Sequence, residues 1–273
     1  MELFFDHLVV VVRDLEHAKA NYQKLGFTVT PGGRHFKGIS ENALIFFKDG
    51  SFIELLALTK SPKVRLLKWM NKFKWSKRWQ YSSRYGLAHK FYSRAIELPE
   101  GITDYCLITK DSQKTYQRIQ ADGIFLTSPL KAGRKKPDGS IVTWEMYTPY
   151  IADLPFIRSD FQPQNPLPEA ATKHPNGATG ISKIHHAALD FKECVKQYGS
   201  LLHQSAEEVS ASEAHFDLGI SKLHVYWASK EPDKQKQVKG KGIGLFAITL
   251  AQHDTTSFPW DENLSHGLSL INS

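Results

Sequence analysis

Two side chains stand in surroundings that do not suit them. His7 opens the apolar run Leu8-Val9-Val10-Val11-Val12, and Glu54 stands inside Phe52-Ile53-Glu54-Leu55-Leu56. Both runs are strand-like, being short, apolar and rich in β-branched residues. Side chains alternate along a strand, so His7, Val9 and Val11 share one face while Leu8, Val10 and Val12 share the other. A carboxylate within an apolar strand is costly unless it is paired or binds a metal. An imidazole nitrogen and a carboxylate oxygen also suit a divalent ion. A buried, hydrogen-bonded His–Glu pair would satisfy the same two groups. His35 follows Gly32-Gly33-Arg34, a flexible turn from which it could reach the same face as a third ligand or a general base, and Glu54 could itself move a proton. His185 and His186 are strand neighbours, so one must face inward; His185 has the parity of His7.

The elements that would carry these residues repeat. In the first copy, Phe4 to Val12 reads as a strand. Asp14 reads as a helix N-cap, Leu15, Ala18, Tyr22 and Leu25 give an apolar stripe, and Gly26 closes the helix. Phe27 to Thr30 is a short strand ending at the turn Pro31-Gly32-Gly33. Strands over Asn42 to Phe47 and Phe52 to Leu58 flank the hairpin signal Asp49-Gly50. In the second copy Asp111 caps and Gly123 closes a helix with the same spacing, after a strand over Tyr105 to Thr109. Further strands follow over Ile124 to Thr127, Ile141 to Tyr147 and Leu154 to Phe161. Each copy reads βαβββ. A weaker third copy begins near Ile181, with Asp190 at the cap and strand candidates at His215 to Ile220, Leu223 to Ala228 and Ile243 to Leu250. The expected organisation is a domain over 1–162 (modules 1–59 and 100–162, insert 60–95), a Pro-rich linker over 163–180, and a C-terminal module over 181–273.

Lys60 to Arg94 contains no acidic residue although the whole chain has a net charge of +7, so the basic excess is local. Val64, Leu67, Met70, Phe73 and Trp75 suggest an amphipathic helix with Lys63, Lys68, Lys72 and Lys77 largely opposite. It could be a packing helix or a lid over the site, or could lie on an anionic membrane surface; with no recognised motif, nucleic acid is the least supported partner. Cys106 and Cys194 form no C-x-x-C pair and read as reduced, buried thiols. No Ser-His-Asp arrangement, P-loop or G-x-G-x-x-G is visible, which leaves nucleophilic and nucleotide chemistry without support. No apolar run is long enough to span a membrane, and the N-terminus lacks a signal peptide's basic start, so a cytoplasmic location is expected.

Asp6-His7, Asp14-Leu15, LGFTVTPGGRH from Leu25 to His35, and the run Asp49 to Leu56 resemble the glyoxalase-like branch of the vicinal-oxygen-chelate superfamily. So do Asn42-Ala43-Leu44, Arg134 with Pro137-Asp138-Gly139, Trp144, Leu154-Pro155-Phe156 and His174-Pro175-Asn176-Gly177. The resemblance covers about residues 3 to 180. It implies an α+β fold of paired βαβββ modules whose sheets curl into a cup, with a partial third module here. It also implies a divalent metal (Zn, Mn, Fe or Ni) held by the first and last strands of each module, a chelating small-molecule substrate, and a homodimer as one assembly. His7 and Glu54 match two ligand positions. Aligned from the helix cap, Asp104 takes the place of His7 in the second copy, with Tyr105 if shifted by one. Arg158 stands near the place of Glu54 and would repel a cation. Two sites stay open: a metal on His7, Glu54 and Asp104, or a metal-free pocket in which Arg158 holds an anion. Arg34, Asn42, Arg134 and Trp144 are the other candidate substrate contacts. The function expected is a metal-dependent lyase, isomerase or dioxygenase-type enzyme acting on a small acidic molecule; the alternatives are a non-catalytic binding protein and a peripheral membrane or interaction protein.

Overall fold

The computed structural model describes residues 2–35, 38–72, 87–151, 153–164, 168–230, 235, 238, 244–252 and 260–271. The first module runs β1 (Phe4–Val12), α1 (Leu15–Lys24), β2 (Thr30–His35), β3 (Ser40–Phe46) and β4 (Phe52–Leu58). Two helices follow, α2 (Pro62–Lys72) and α3 (Leu87–Glu97). The second module runs β5 (Gly101–Ile108), α4 (Ser112–Ala121), β6 (Leu130–Lys135), β7 (Ile141–Tyr147) and β8 (Phe156–Arg158). The third runs β9 (Ala178–Ala188), α5 (Phe191–Leu202), β10 (Glu207–Ser210), β11 (Glu213–Asp217) and β12 (Lys222–Trp227), and β13 (Leu245–Gln252) is added after it. The carboxylates of Asp14, Asp111 and Asp190 each accept a backbone N–H of the first helical turn, as the three cap positions require.

The eight strands of modules one and two close in the order β1-β4-β3-β2-β6-β7-β8-β5. Each half contributes four strands, and the halves meet along β1/β5 and β2/β6. The third module lies in a separate sheet, β10-β11-β12-β9-β13, with the same internal order as one half of the barrel. β13 pairs antiparallel with β9 as β5 does with β1. The partial third module is thus half a cup with all five of its elements.

One apolar core joins the sheets. Leu8, Val10 and Val12 on the outer face of β1 pack with Ala18 and Tyr22 of α1, and the same cluster continues into Ile184, Tyr198, Phe216 and Val225 of the third module. A second cluster fills part of the barrel's interior, where Val9, Val11, Leu56, Cys106, Met146 and Phe156 meet Leu87 and Ala95 of α3. The basic insert therefore sends a helix into the barrel. Lys90 and Arg94 go with it and are buried, and both pair with Asp104, at 2.8 and 3.0 Å.

Several boundaries differ from the sequence reading. Pro31-Gly32-Gly33 is part of β2, with a register shift between Pro31 and Gly33. Gly33 has φ of 129°, and a Cβ there would meet the carbonyl oxygen of Lys135, so glycine permits the two halves to join at this point. In the second module the matching strand is Leu130–Lys135 and not Ile124 to Thr127. The segment read as a linker is tied down: the backbone N–H of Thr28 donates to His174 Nδ1, Asn176 donates to the Leu25 carbonyl, and β9 begins already at Ala178. On α2, Val64 is buried while Leu66 and Trp69 are exposed; Phe73, Trp75, Lys77 and Trp79 lie outside the described residues. Among the described residues no helix is long and apolar enough to cross a membrane.

Candidate functional site: a His–Glu centre in the barrel

A cavity of about 220 Å³ opens inside the barrel. Its polar end is built from four strands. β1 supplies His7, β4 supplies Glu54, β3 supplies Asn42, and the end of β2 supplies His35. His7 Nε2 lies 3.5 Å from Glu54 Oε2, and His35 Nε2 lies 3.6 Å from Glu54 Oε1. Asn42 Nδ2 donates to Glu54 Oε1 at 2.5 Å, and Gly32 leaves room for that amide. His7 is sandwiched by packing, stacked on Phe52 at 4.3 Å between centroids and edge-on to Phe156 at 5.5 Å.

Behind His7 stands a second row. His7 Nδ1 donates to Asp6 Oδ2 at 2.5 Å. Asp6 in turn accepts from Arg158, with Nε on Oδ2 and Nη2 on Oδ1, both at 2.6 Å. Arg158 also lies over the Phe161 ring at 3.9 Å. Asp6 fixes the tautomer of His7 and turns its Nε2 toward Glu54, as carboxylates behind metal-bound histidines do. Burial alone would lower the His7 pKa, but the hydrogen bonds to Asp6 and Glu54 overcome it and raise the value. Burial would raise that of Glu54, yet His7, His35 and Asn42 hold it down at about 2. His35 is driven the other way: burial, opposed by Glu54 and helped by Arg134, lowers its pKa.

This geometry tests the metal. With Nδ1–H given to Asp6, a neutral His7 turns a lone pair on Nε2 toward a carboxylate oxygen. Two acceptors so placed repel unless a cation stands between them. A second proton on His7 meets the need, and so does a divalent ion, which would take His7, Glu54 and His35 as two imidazoles and one carboxylate, a donor set suited to a first-row ion with open positions. These residues offer the donor types such an ion takes, each imidazole facing a different Glu54 oxygen, while the three barrel donors that lie within 4.8 Å of one another among the described residues are Asp6, His7 and Cys106.

Not every expected residue takes part. Asp104 does not face the cavity with His7; it is buried against Lys90 and Arg94, so its charge is already matched. By register the counterpart of His7 is Cys106. His7 lies opposite Phe52 and Val9 opposite Glu54 across β1 and β4, while Cys106 lies opposite Phe156 and Ile108 opposite Arg158 across β5 and β8. Burial pushes the Cys106 thiol pKa well up, which keeps it protonated. Arg34 points outward, 73% exposed at its side chain, onto Glu41 at 3.2 Å, and does not line the cavity. Asn42, Arg134, Trp144 and Arg158 do line it. Arg158, however, is bound by Asp6, and it is Arg134, 4% exposed, whose Nε has no hydrogen-bond partner among the described residues. The sequence reading missed the apolar wall from α3, Leu87 and Phe91, which the spacing of four between them could have signalled. His185 faces the inner side of the third module, where Tyr226 and Thr249 bond its two nitrogens.

Residues 5–202 match the model of a family described as the glyoxalase-like domain. No curated protein sequence matches the chain significantly. Among solved structures, a hypothetical protein from Staphylococcus aureus is 13% identical, with both chains covered in full and a TM-score of 0.71. A triple mutant of 4-hydroxymandelate synthase from Streptomyces coelicolor is 11% identical over 93% of this chain and 72% of that one, at a TM-score of 0.53. A xylose isomerase-like TIM barrel/4-hydroxyphenylpyruvate dioxygenase fusion protein is 15% identical over 93% of this chain and 38% of its own, at 0.50. At these identities the likenesses speak to the fold. With the family match spanning most of the chain, the protein belongs to the glyoxalase-like domain family of the vicinal-oxygen-chelate superfamily.

Proposed function

We propose that the protein is a divalent-metal-dependent enzyme acting on a small oxygenated acid with an apolar body, by isomerase, lyase or dioxygenase-type chemistry. The observation that carries this is the convergence of His7 Nε2, His35 Nε2 and the two Glu54 oxygens at 3.5 and 3.6 Å. A bound divalent ion would supply Lewis acidity toward a substrate oxygen. The protein's own groups do the rest. Asp6 and Glu54 are matched in charge by Arg158 and Arg134, so a divalent ion adds two positive charges that the buried cavity does not cancel. An anionic ligand balances them, and Arg134 offers it a free Nε–H. The aromatic and aliphatic walls, Phe52, Phe91, Trp144 and Phe156, suit an apolar body and keep water out. His35, with a lowered pKa and Nδ1 3.0 Å from Ser40 Oγ, is the group placed to take a proton if it leaves the ion's shell. The dioxygenase named among the structural neighbours and the aromatic wall both support starting with aromatic 2-oxo and 2-hydroxy acids.

The test is a turnover screen of such acids with Mn, Fe, Ni, Co and Zn, with oxygen uptake and NMR of the products as separate readouts. Turnover that needs both the metal and Glu54 supports the reading. Tight binding of acids without metal, lost in Arg134→Gln, would instead make the protein a binder, a second reading that the orphaned Arg134 Nε favours.

A further inference from the structure

The third module carries a cluster that the barrel site does not use. Glu213 and His215 stand two residues apart on β11 and share a face, and His224 on β12 lies directly across from His215 in the ladder. The two imidazoles are 3.6 Å apart between centroids, at 35°. Glu213 Oε1 lies 2.8 Å from His215 Nε2 and 3.5 Å from His224 Nδ1. One donor atom from each of the three falls within 4.8 Å of the others. His224 is 7% exposed, and its Nε2 has no hydrogen-bond partner among the described residues.

The cluster is not a copy of the barrel site. In the β9–β12 ladder His185 lies opposite His224 and Ala187 opposite Tyr226, so the third-module counterparts of His7 and Glu54 are His185 and Tyr226. The cluster instead uses the hairpin β11–β12. Two imidazoles at this distance disfavour a shared pair of positive charges, whereas two neutral rings and a carboxylate are a ready donor set. Side-chain exposures of 29% for Glu213 and 16% for His215 leave a path from solvent and room for water to complete the shell.

We propose that Glu213, His215 and His224 form a second metal site, for a divalent ion of the imidazole-preferring class: Zn²⁺, Ni²⁺, Co²⁺ or Cu²⁺. Lys183, on neighbouring β9, acts electrostatically on His224 and sets a limit on affinity. The site stands independently of the barrel centre.

The experiment uses the full, untagged chain with His7→Ala and Glu54→Ala, which removes two of the barrel's donors. Zn²⁺ is titrated by calorimetry, and Co²⁺ by its visible absorption. One equivalent is expected, with the bands of an ion bound by nitrogen and oxygen. Loss of a carboxylate or imidazole behind a ligand typically costs 10–100-fold, so loss of a ligand itself, in Glu213→Gln or His215→Asn, should weaken binding by more than about 100-fold. Both replacements are at partly exposed positions; circular dichroism and thermal melting report whether the fold is kept. Should the barrel variant fail to fold, the same two substitutions in the wild-type chain must lower the bound stoichiometry by one. The proposal is overturned if the barrel variant binds no ion, or if Glu213→Gln and His215→Asn bind as the parent does. Failure of the barrel centre alone would leave wild-type protein with one equivalent, lost on Glu213→Gln.

Discussion

The two halves of the barrel share a register and differ in chemistry. Where the first places His7 and Glu54, the second places Cys106 and Arg158, with Phe52 and Phe156 matched between them. A symmetric cup would offer ligands from both sides of its axis. Here the second half offers only the Cys106 thiol, within 4.8 Å of donor atoms of Asp6 and His7 and kept protonated by burial, and its arginine turns onto Asp6, which holds His7. In the proposed site one module would supply the donors, and the other orients His7. A further donor would come from β2, whose register shift at Pro31–Gly33 precedes His35, 3.6 Å from Glu54. Duplication thus fixes positions, and the residue at each position decides whether it becomes a ligand or a support.

The comparison breaks most violently at Asp104, the residue that alignment from the helix cap offers as a ligand. Asp104→Asn leaves Lys90 and Arg94 buried without their carboxylate, and breaking a buried pair in this way costs about 3–5 kcal/mol. Denaturant unfolding should show that loss. Metal content measured on the fraction that stays folded should be unchanged; a selective loss of metal would make Asp104 a ligand after all.

The asymmetry predicts next that Glu54→Ala lowers divalent-ion affinity by more than about 100-fold, while Cys106→Ser leaves it unaltered. Equilibrium dialysis distinguishes the two, and equal effects would restore a symmetric cup. Asp6→Asn should fall between them, at about 10–100-fold, because it frees Arg158 and loosens His7 without removing a donor.

The mildest effect is that of pH. The metal must displace the second proton of His7, so affinity should fall about tenfold for each pH unit below the raised His7 value. Without metal the signs reverse. His7's raised value gives stability that is complete below 6.5 and is lost as pH rises through the folded value; Glu54's lowered value gives stability that is complete above 4.5 and is lost as pH falls toward about 2. From His7 and Glu54, metal-free protein gains most between those two ordinary values and loses above them, where metal-loaded protein gains, while His35, His186 and His224, with lowered values, subtract stability as pH falls below 6.5. Melting curves across that range, with and without Mn²⁺, would show parallel trends if His7 were not the shared group.

Much of this was legible in the residues. The strands Phe4–Val12 and Phe52–Leu58, the three aspartate caps and the parity of His7 all follow from local patterns that the structure keeps. The errors have a common cause in long-range pairing. His7 precedes its cap Asp14 by seven positions and Cys106 precedes Asp111 by five, so an alignment anchored on the caps arrives at Asp104, two residues from the true counterpart and on a strand whose register is set by β8. Pro31-Gly32-Gly33 reads as a turn because nothing local reveals that β3 will pair with it across a register shift. Helix α3 went unseen because Lys90 and Arg94 interrupt its apolar face, and their burial makes sense only once Asp104 is known to receive them. The pair His215 and His224 fell within strands read from the sequence, yet their adjacency is a property of the β11–β12 ladder alone.

The central claim is that one ion is held by His7, His35 and Glu54 with no donor from the second module. A crystal of the protein soaked in Co²⁺, measured at the cobalt absorption edge, tests it directly. The account predicts an anomalous peak at bonding distance from His7 Nε2, His35 Nε2 and a Glu54 oxygen, with Cys106 and Asp104 outside its shell. A barrel without a peak, or a peak on Asp6, His7 and Cys106, would contradict it.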